Sequence, residues 1–237
     1  MQDTAHFLPG WFGKIPALGD FASRRLSPAF IGFWDAWLQR GLEASRASLQ
    51  DGWLDVYLNG PLWNFTLLPG VCGDSAWAGT LMPSVDKVGR HFPLTIAVEL
   101  EREAEVLDAV LSAQEWFALL EQASLDCLNV GFDTLQLEER LAAAPFPAQW
   151  ERHGKEDTHR IDRWWNDPSG AGLLLELPDR QAIRALFQES GLRQQSRMGY
   201  GKSLWWSEAA TGGAVRLLAF SRMPAPHEFV TLLEDRS

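Results

Sequence analysis

The chain has 237 residues, of which 22% are charged and 46% hydrophobic, and its formal net charge is −10. This composition is typical of a folded globular protein and excludes a disordered one. The acidity argues against binding to nucleic acid or to an anionic membrane surface, because both need clustered Lys and Arg. Residues 101–190 hold most of the acidity, with 18 acidic and 8 basic side chains.

Three further observations favour a cytoplasmic protein. The first residues lack the basic and apolar pattern of a secretory signal. No apolar run reaches the length of a membrane span. Cys72 and Cys127, the two cysteines, lie far apart in no metal or disulfide motif, which suits a reducing compartment.

The first hundred residues predict a strand, a long helix and three more strands. The first strand runs from Trp11 to Ile15. Ser27 as N-cap and Pro28 at the first helical position mark a helix, and apolar residues spaced by three and four extend it for five turns to Asp51-Gly52. Residues 53–100 then contain three short apolar runs bounded by Gly, Pro, Asn and Asp, which predict an antiparallel meander.

The middle of the chain, residues 101–144, predicts three helices. The first covers Glu101 to Leu111, and the second starts at a capping-box pattern, Ser112 to Glu115, and runs through Leu128. Asp133 can cap the third, which extends to Ala144. Residues 145–170 have no clean hydrophobic period and predict an irregular segment or hinge.

The last third of the chain predicts both strands and helices. A strand covers 172–177, a helix follows from Pro178 to Gly191, and a hairpin joins 203–206 to 214–220 before a last helix from His227 to Leu233. About seven short strands without strict βαβ alternation favour an α/β fold with a central mixed, mainly antiparallel sheet covered by helices. We expect a single domain over residues 1–237. Its regions are a motif-rich one over 1–100, an acidic helical one over 101–144, an irregular segment over 145–170 and a C-terminal αβ region over 171–237.

Known catalytic and cofactor motifs fit poorly. The stretch Met198 to Ser203 resembles a phosphate-binding loop, but Ser196 stands where its first Gly is required and a strand pattern follows. His153 and His159 are six residues apart, which is not the spacing of a helical zinc pair. We therefore expect no catalytic residue, no metal and no cofactor. Cys72 lies in a Gly-rich turn and is most simply a small apolar residue there.

Two stretches combine Gly and Pro with charged residues. They are 13–21 (GKIPALGDF) and 69–94, which includes MPSVDKVGRHFPL. Gly and Pro at this density define one backbone path, and charged residues on rigid loops suit recognition. Alternatively, Asp86 and Arg90 simply pair with each other and cap a turn.

The same stretches resemble a known family. GWFGKIPALGDF, WLDVYLNGPLW, PGVCGDSAWAGTLMPSVDKVGRHFPL and the late SLWW are similar to the TagF (ImpM) proteins of bacterial type VI secretion systems. The resemblance runs from about Gly10 to Leu100 and resumes at Ser203. It implies a three-layer α-β-α sandwich and a cytoplasmic accessory protein that is not an enzyme.

The resemblance also implies a function and a partner. TagF-like proteins are post-translational repressors of apparatus assembly that act by binding a forkhead-associated (FHA) scaffold protein. The family transfers no catalytic residue, and only motif positions carry over. The candidate partner-binding or motif positions are Lys14, Asp20, Phe21, Ser84, Asp86, Arg90, Trp205 and Trp206.

The alternative function is an enzyme or a sensor of a small ligand or phosphoryl group. Its pocket would lie near Asp86 and Arg90 and would be lined as well by Trp77 and Trp205. The exposure of the tryptophan side chains would distinguish this function from partner binding, because an exposed aromatic patch favours a protein partner. The sequence leaves open which of Trp164, Trp165, Trp205 and Trp206 is exposed.

Overall fold

A computed structural model describes residues 8–100, 106–129, 131–147, 164–165, 167–170, 172–189, 199–208 and 214–234. An open eight-stranded sheet forms its centre, in the order β2-β1-β5-β4-β3-β7-β8-β6. The strands are β1 (Gly10–Gly13), β2 (Ala22–Arg24), β3 (Trp63–Leu67), β4 (Ala76–Met82), β5 (Leu94–Leu100), β6 (Leu173–Leu177), β7 (Lys202–Glu208) and β8 (Val215–Ser221). Every neighbouring pair is antiparallel.

Within the described residues, helices occupy three of the connections between the strands, and a last helix follows the final strand. They are α1 (Pro28–Leu49), α2 (Trp53–Leu58), α3 (Val106–Ser112), α4 (Gln114–Asp126), α5 (Thr134–Ala142), α6 (Arg180–Glu189) and α7 (Val230–Leu233), with 3₁₀ turns at Gln50–Gly52 and Pro226–Glu228. The predicted α/β class is thus confirmed. The sheet differs from the prediction of a mixed one, since no parallel pair occurs among the described strands. The three-layer arrangement stays a prediction.

Two apolar clusters pack against the sheet, one on each face, because successive side chains of a strand point to opposite sides. Trp205 belongs to the cluster that contains α1, α2 and α7, whereas Leu204 and Trp206 belong to the cluster that contains α3, α4, α5 and α6. The expectation that Trp205 and Trp206 face opposite sides of the sheet is therefore confirmed.

Helix α1 follows its sequence signals closely. The Ser27 hydroxyl accepts a hydrogen bond from the Phe30 N–H at 3.2 Å, and Pro28 is the first helical residue. The apolar stripe of α1 is buried against the sheet, where Trp34 stacks among Phe30, Phe65 and Trp205. The indole N–H of Trp34 donates to the Thr95 hydroxyl at 2.7 Å, so its one polar atom is satisfied.

Several expected boundaries were wrong. The sequence missed β2, which extends the sheet at its edge, and α2, which follows the 3₁₀ turn at Gln50–Gly52. The predicted capping box at Ser112 is also wrong, because Ala113 occupies the N-cap of α4 and the Ser112 hydroxyl donates to the Asp108 carbonyl at 2.6 Å. Most of the irregular segment 145–170 and the hairpin turn 209–213 lie outside the described residues.

Helix α5 has the cap that the sequence predicts. The Asp133 carboxylate accepts from the Gln136 N–H at 2.9 Å, and the Gln136 side chain accepts from the Asp133 N–H at 2.9 Å. This reciprocal pair satisfies two backbone donors that the first turn of a helix leaves without partners.

Removing this cap should cost measurable stability. We expect Asp133→Ala to lower the free energy of unfolding by about 1 kcal/mol, because a backbone N–H loses its acceptor. Urea unfolding followed by circular dichroism measures the change. Glu139→Ala, an exposed change on the same helix, is the matched control and should stay within about 0.5 kcal/mol of the wild type. Equal stability of the two variants would contradict the capping role.

Helix α5 is also tied to β1 and β2 through Glu138. The Trp11 indole N–H donates to one Glu138 oxygen at 2.6 Å, and Arg24 at the end of β2 and the next residue, Arg25, pair with the same carboxylate. Burial alone would raise the pKa of Glu138, but the hydrogen bonds from Arg25 and Trp11 more than offset it and lower the pKa. Glu138 is therefore part of a contact between α5 and the edge of the sheet and is not a freely solvated surface charge.

Candidate functional site

The charged motif residues Lys14, Asp86 and Arg90 lie close together where two loops are joined by hydrogen bonds. One loop, residues 14–21, follows β1, and the other, residues 83–93, joins β4 to β5; we call their junction the Asp86 site. Main-chain contacts join them, since the Lys87 N–H donates to the Leu18 carbonyl at 2.8 Å. Gly13 directs the first loop with a φ of 135°, and a Cβ there would lie 2.1 Å from the Pro93 carbonyl oxygen. Only glycine fits this position.

Asp86 is the centre of the site, and its side chain is fully buried. One carboxylate oxygen accepts from the Lys14 ammonium at 2.9 Å and from the Arg90 Nε at 2.7 Å. The other accepts from the backbone N–H groups of Val88 at 3.0 Å and Arg90 at 2.9 Å. Four donors thus saturate the carboxylate, and two of them belong to charged groups.

The pKa of Asp86 reflects this environment. Burial acts to raise it, but the hydrogen bonds from the Arg90 backbone, the Lys14 and Arg90 side chains and the Val88 backbone outweigh burial and hold the pKa well below its usual range. Asp86 is therefore ionised at neutral pH. A carboxylate held in this state by four donors is suited to fixing the loops and poorly suited to exchanging a proton.

Ser84 and Tyr57 support the site from within the fold. The Ser84 hydroxyl donates to the Lys14 carbonyl at 2.7 Å, which adds a further bond between the two loops. The buried Tyr57 hydroxyl donates to the Ser84 carbonyl at 2.8 Å and accepts from the Ser84 N–H at 3.1 Å. Burial raises the pKa of Tyr57. Tyr57 was not among the predicted site residues, although it lies in the motif WLDVYLNG and the chain has only two tyrosines.

An aromatic group packs beside the charged pair. The Phe21 ring meets Phe92 edge to face at 4.7 Å and stacks on Phe12 at 6.1 Å between ring centroids. The Lys14 ammonium lies 4.7 Å from the Phe21 ring centroid, within range of a cation–π contact. Phe21 is thus held in place while 46% of its surface stays exposed.

The rim of the site presents an exposed patch, which we call the Phe21–Val88 surface: Asp20, Phe21, Lys87, Val88 and Arg90. Val88 is 68% exposed. The Arg90 guanidinium donates to the Gly19 carbonyl at 2.5 Å and lies 3.8 Å from Asp20, yet it remains half exposed. Asp86 and Arg90 thus pair with each other and cap the turn, as one of the two alternatives expects, and a role of Arg90 in recognition stays a prediction.

Trp205 and Trp206 lie elsewhere and are buried. Trp205 packs on Trp34 and Trp37, whereas Trp206 packs on Phe117 on the other face of the sheet. Trp164 and Trp165 are buried as well. Of the 12 tryptophans, the 11 within the described ranges are all buried, so none of these offers an exposed ring to a partner.

The residues expected to line a ligand pocket near Asp86 do not all lie together in the structure. Trp77 stacks on Phe30 at 3.9 Å and belongs, with Trp205, to the apolar cluster under α1. A small cavity of about 10 Å³, with room for little more than one water molecule, lies instead between α3, α4, α6 and β7. Its lining is apolar apart from Gln114 and Arg180, and Arg180 already pairs with Glu121 and Glu208.

The remaining chemical motifs have structural roles or lie outside the described residues. Burial raises the pKa of the Cys72 thiol to about 11, which disfavours the reactive thiolate. Lys202 begins strand β7 rather than a helix, and its ammonium lies 4.8 Å from the Trp164 ring centroid, so the P-loop pattern does not form. His153 and His159 lie outside the described residues, within which no cluster of metal-ligating side chains occurs.

Comparison with known proteins shows the family of this chain. A family model of the TagF N-terminal domain, type VI secretion system-associated, matches residues 10–144, which is more than half of the chain. The chain belongs to the TagF family. The match reaches past Leu100 through α3, α4 and α5, so the acidic helical region belongs to the family domain rather than to a divergent insertion. The Asp86 site lies wholly within the matched residues of this TagF chain.

One solved structure is similar to this chain over nearly its whole length. The TagF chain is similar to PA0076 from Pseudomonas aeruginosa PAO1, with 30% identity over 97% of this chain and 95% of that protein, at a TM-score of 0.68. An RNA-binding light-oxygen-voltage receptor aligns at 14% identity and a TM-score of 0.20, a similarity too weak to indicate a shared fold. No curated protein matches the TagF chain. Among the residues that the structure describes, no helix is long and apolar enough to cross a bilayer.

Proposed function

We propose that this type VI secretion system-associated protein is a post-translational negative regulator of apparatus assembly. It acts in the cytoplasm by binding the FHA-domain scaffold protein of the system, and the Phe21–Val88 surface makes the contact. The partner and the repressor role come from the family resemblance. The observation that carries the surface assignment is the Asp86 site, which fixes two loops rigidly and leaves apolar and charged groups exposed on them.

The chemistry of the Phe21–Val88 surface supports a protein partner. Phe21 and Arg90 are residue types favoured at the centres of protein interfaces, and both are held before binding. Phe21 is packed on Phe92, and Arg90 is bonded to Asp86 and Gly19. Side chains that are already ordered lose little conformational entropy on association, which favours affinity.

We also propose that the protein is not an enzyme and does not bind nucleic acid. The carboxylate of the Asp86 site is saturated by four donors, and its lowered pKa leaves it without a proton to exchange at neutral pH. The net charge of −10 opposes contact with phosphate backbones.

Val88→Asp tests the surface, because the Val88 side chain is exposed and apolar and the change removes no side-chain hydrogen bond. We expect the wild type to co-purify with the cognate full-length FHA-domain protein and Val88→Asp to bind about tenfold more weakly or worse, since a charge must be desolvated at the contact. Biolayer interferometry with purified proteins measures the affinities.

The matched control is Leu135→Asp, the same kind of change on α5, where Leu135 is 65% exposed. Its affinity for the FHA-domain protein should equal that of the wild type. Absence of a wild-type complex at micromolar concentration would reject the partner. A wild-type complex that Val88→Asp leaves intact would reject the surface and leave the partner standing.

A further inference from the structure

Helix α4 carries an exposed face that nothing in the proposed function uses. Its members recur at helical spacing, and one of them, Glu115, is charged. They are Glu115, Ala118, Leu119, Gln122 and Leu125 on α4, and Leu128 and Asn129 in the turn that follows it. Leu119 is 54% exposed and Leu125 is 47% exposed. A nearly uncharged outer stripe is unusual in a chain with a net charge of −10, and exposed apolar patches mark contact surfaces.

The other side of α4 is fully engaged with the sheet. Trp116, Phe117 and Leu120 are buried in the apolar cluster, and the Ser124 and Thr80 hydroxyls are hydrogen-bonded at 3.1 Å. The helix is therefore fixed by its inner side, and among the described residues Leu119 and Leu125 on its outer side belong to neither apolar cluster.

We propose that the outer face of α4 binds the same face of a second copy of this chain, with the two helices antiparallel about a two-fold axis through Gln122. Leu119 and Leu125 lie three residues on either side of Gln122, about 4.5 Å along the axis. In such a pair Leu119 of one copy lies level with Leu125 of the other. A two-fold interface requires a patch that is complementary to itself, and this spacing provides one.

The charges at the two ends of α4 select the antiparallel direction. Glu115 lies at the N-terminal end of α4, and Arg140 of α5 lies beside the C-terminal end, where its half-exposed guanidinium pairs with Asp126 at 2.8 Å. Antiparallel pairing brings Glu115 of one copy near Arg140 of the other, at both ends of the interface. Parallel pairing would bring Glu115 against Glu115, which opposes association, while Arg140 would stay paired with Asp126 of its own copy.

The size of the face sets the expected strength of the dimer. Helix α4 has 13 residues and is therefore about 20 Å long, which is too short to bury the roughly 800 Å² per partner of a standard stable interface. The dimer should be in equilibrium with the monomer at micromolar concentration. The uncharged centre permits this association between two copies that are each strongly acidic.

Sedimentation equilibrium over a range of concentrations tests the proposal. We expect a monomer–dimer equilibrium for the wild type and a dissociation constant at least about tenfold higher for the double variant Leu119→Asp, Leu125→Asp, because four carboxylates enter an apolar contact. Leu54→Asp on α2 is the matched control, since Leu54 is 44% exposed, and it should dimerise as the wild type does. Circular dichroism verifies that each variant is folded.

A cross-link at the two-fold axis tests the geometry. Gln122→Cys should form a disulfide-linked dimer under mild oxidation, because residues on the axis come within the Cα separation that a disulfide spans. The wild-type chain, in which Cys127 is buried and Cys72 half buried, provides the background rate. A wild type that stays monomeric up to millimolar concentration would overturn the proposal, and so would Gln122→Cys cross-linking no faster than that background.

Discussion

Replacing Asp86 with Asn should strongly destabilise the protein and loosen both loops of the Asp86 site. The substitution keeps the shape of the side chain but removes its charge, so the buried Lys14 loses its counter-ion. The amide NH₂ group would also face donors that the carboxylate oxygens now accept. Breaking a buried ion pair by removing one partner is among the costlier single changes in proteins. Thermal unfolding measures the loss, which should reach several degrees in Tm.

Asp20→Asn is the matched control, since Asp20 belongs to the same site but its carboxylate is exposed and lies 3.8 Å from Arg90. We expect it to change the free energy of unfolding by less than about 0.5 kcal/mol. Similar losses for Asp20→Asn and Asp86→Asn would contradict the central role of Asp86.

The stability that Asp86 contributes should also depend on pH. Its pKa is lower in the folded chain than in the unfolded chain, where it is about 3.9. The contribution is therefore fully present above about pH 5 and declines as pH falls toward 2, where the unfolded state binds a proton first. The unfolding curves of wild type and Asp86→Asn should converge over this range. If the difference in free energy of unfolding between the wild type and Asp86→Asn stays the same from pH 7 to pH 2, the ionisation of Asp86 does not contribute to stability.

Trp34→Ala should cause the largest loss of stability among changes to the apolar cluster under α1. Trp34 is fully buried and contacts Phe30, Phe65 and Trp205. Truncation leaves a cavity and removes the donor to the Thr95 hydroxyl. The expected cost is about 3–5 kcal/mol, measured by urea unfolding.

Trp34→Phe separates ring packing from the hydrogen bond. It keeps most of the aromatic contact and loses the indole N–H, so we expect a cost near that of one unsatisfied buried hydroxyl, about 1–3 kcal/mol. If Trp34→Ala costs no more than Trp34→Phe, the cluster does not depend on the volume of this ring.

The elements of the fold that the sequence predicts well are those set by local rules. Ser27 with Pro28 marks the start of α1, and Asp133 with Gln136 caps α5, because N-terminal caps depend on residues within one turn. The strands around Trp77 and Trp205 were recognisable because short apolar runs between turn residues make buried strands.

The elements that it missed depend on contacts between distant residues. Strand β2 is three residues long and partly polar, and it forms only because β1 offers a free edge. Glu138 meets Trp11 across 127 residues of chain, so its helix face gives no sign of a partner. Within the Asp86 site, the motif positions were visible in the sequence. The Lys14 contact that completes the saturation of the Asp86 carboxylate and the support from Tyr57 arise only when the loop 83–93 meets the loop 14–21 and α2.

The burial of the tryptophans has a consequence for optical measurements. Since the 11 that fall within the described ranges are all buried, most of the indole emission reports on the integrity of the two cores and little of it reports on events at the surface. Intrinsic fluorescence is thus a sensitive probe of unfolding and a poor probe of docking. A partner that binds the outside of this molecule can leave its emission spectrum nearly unchanged, so a silent titration is no sign of a missing interaction.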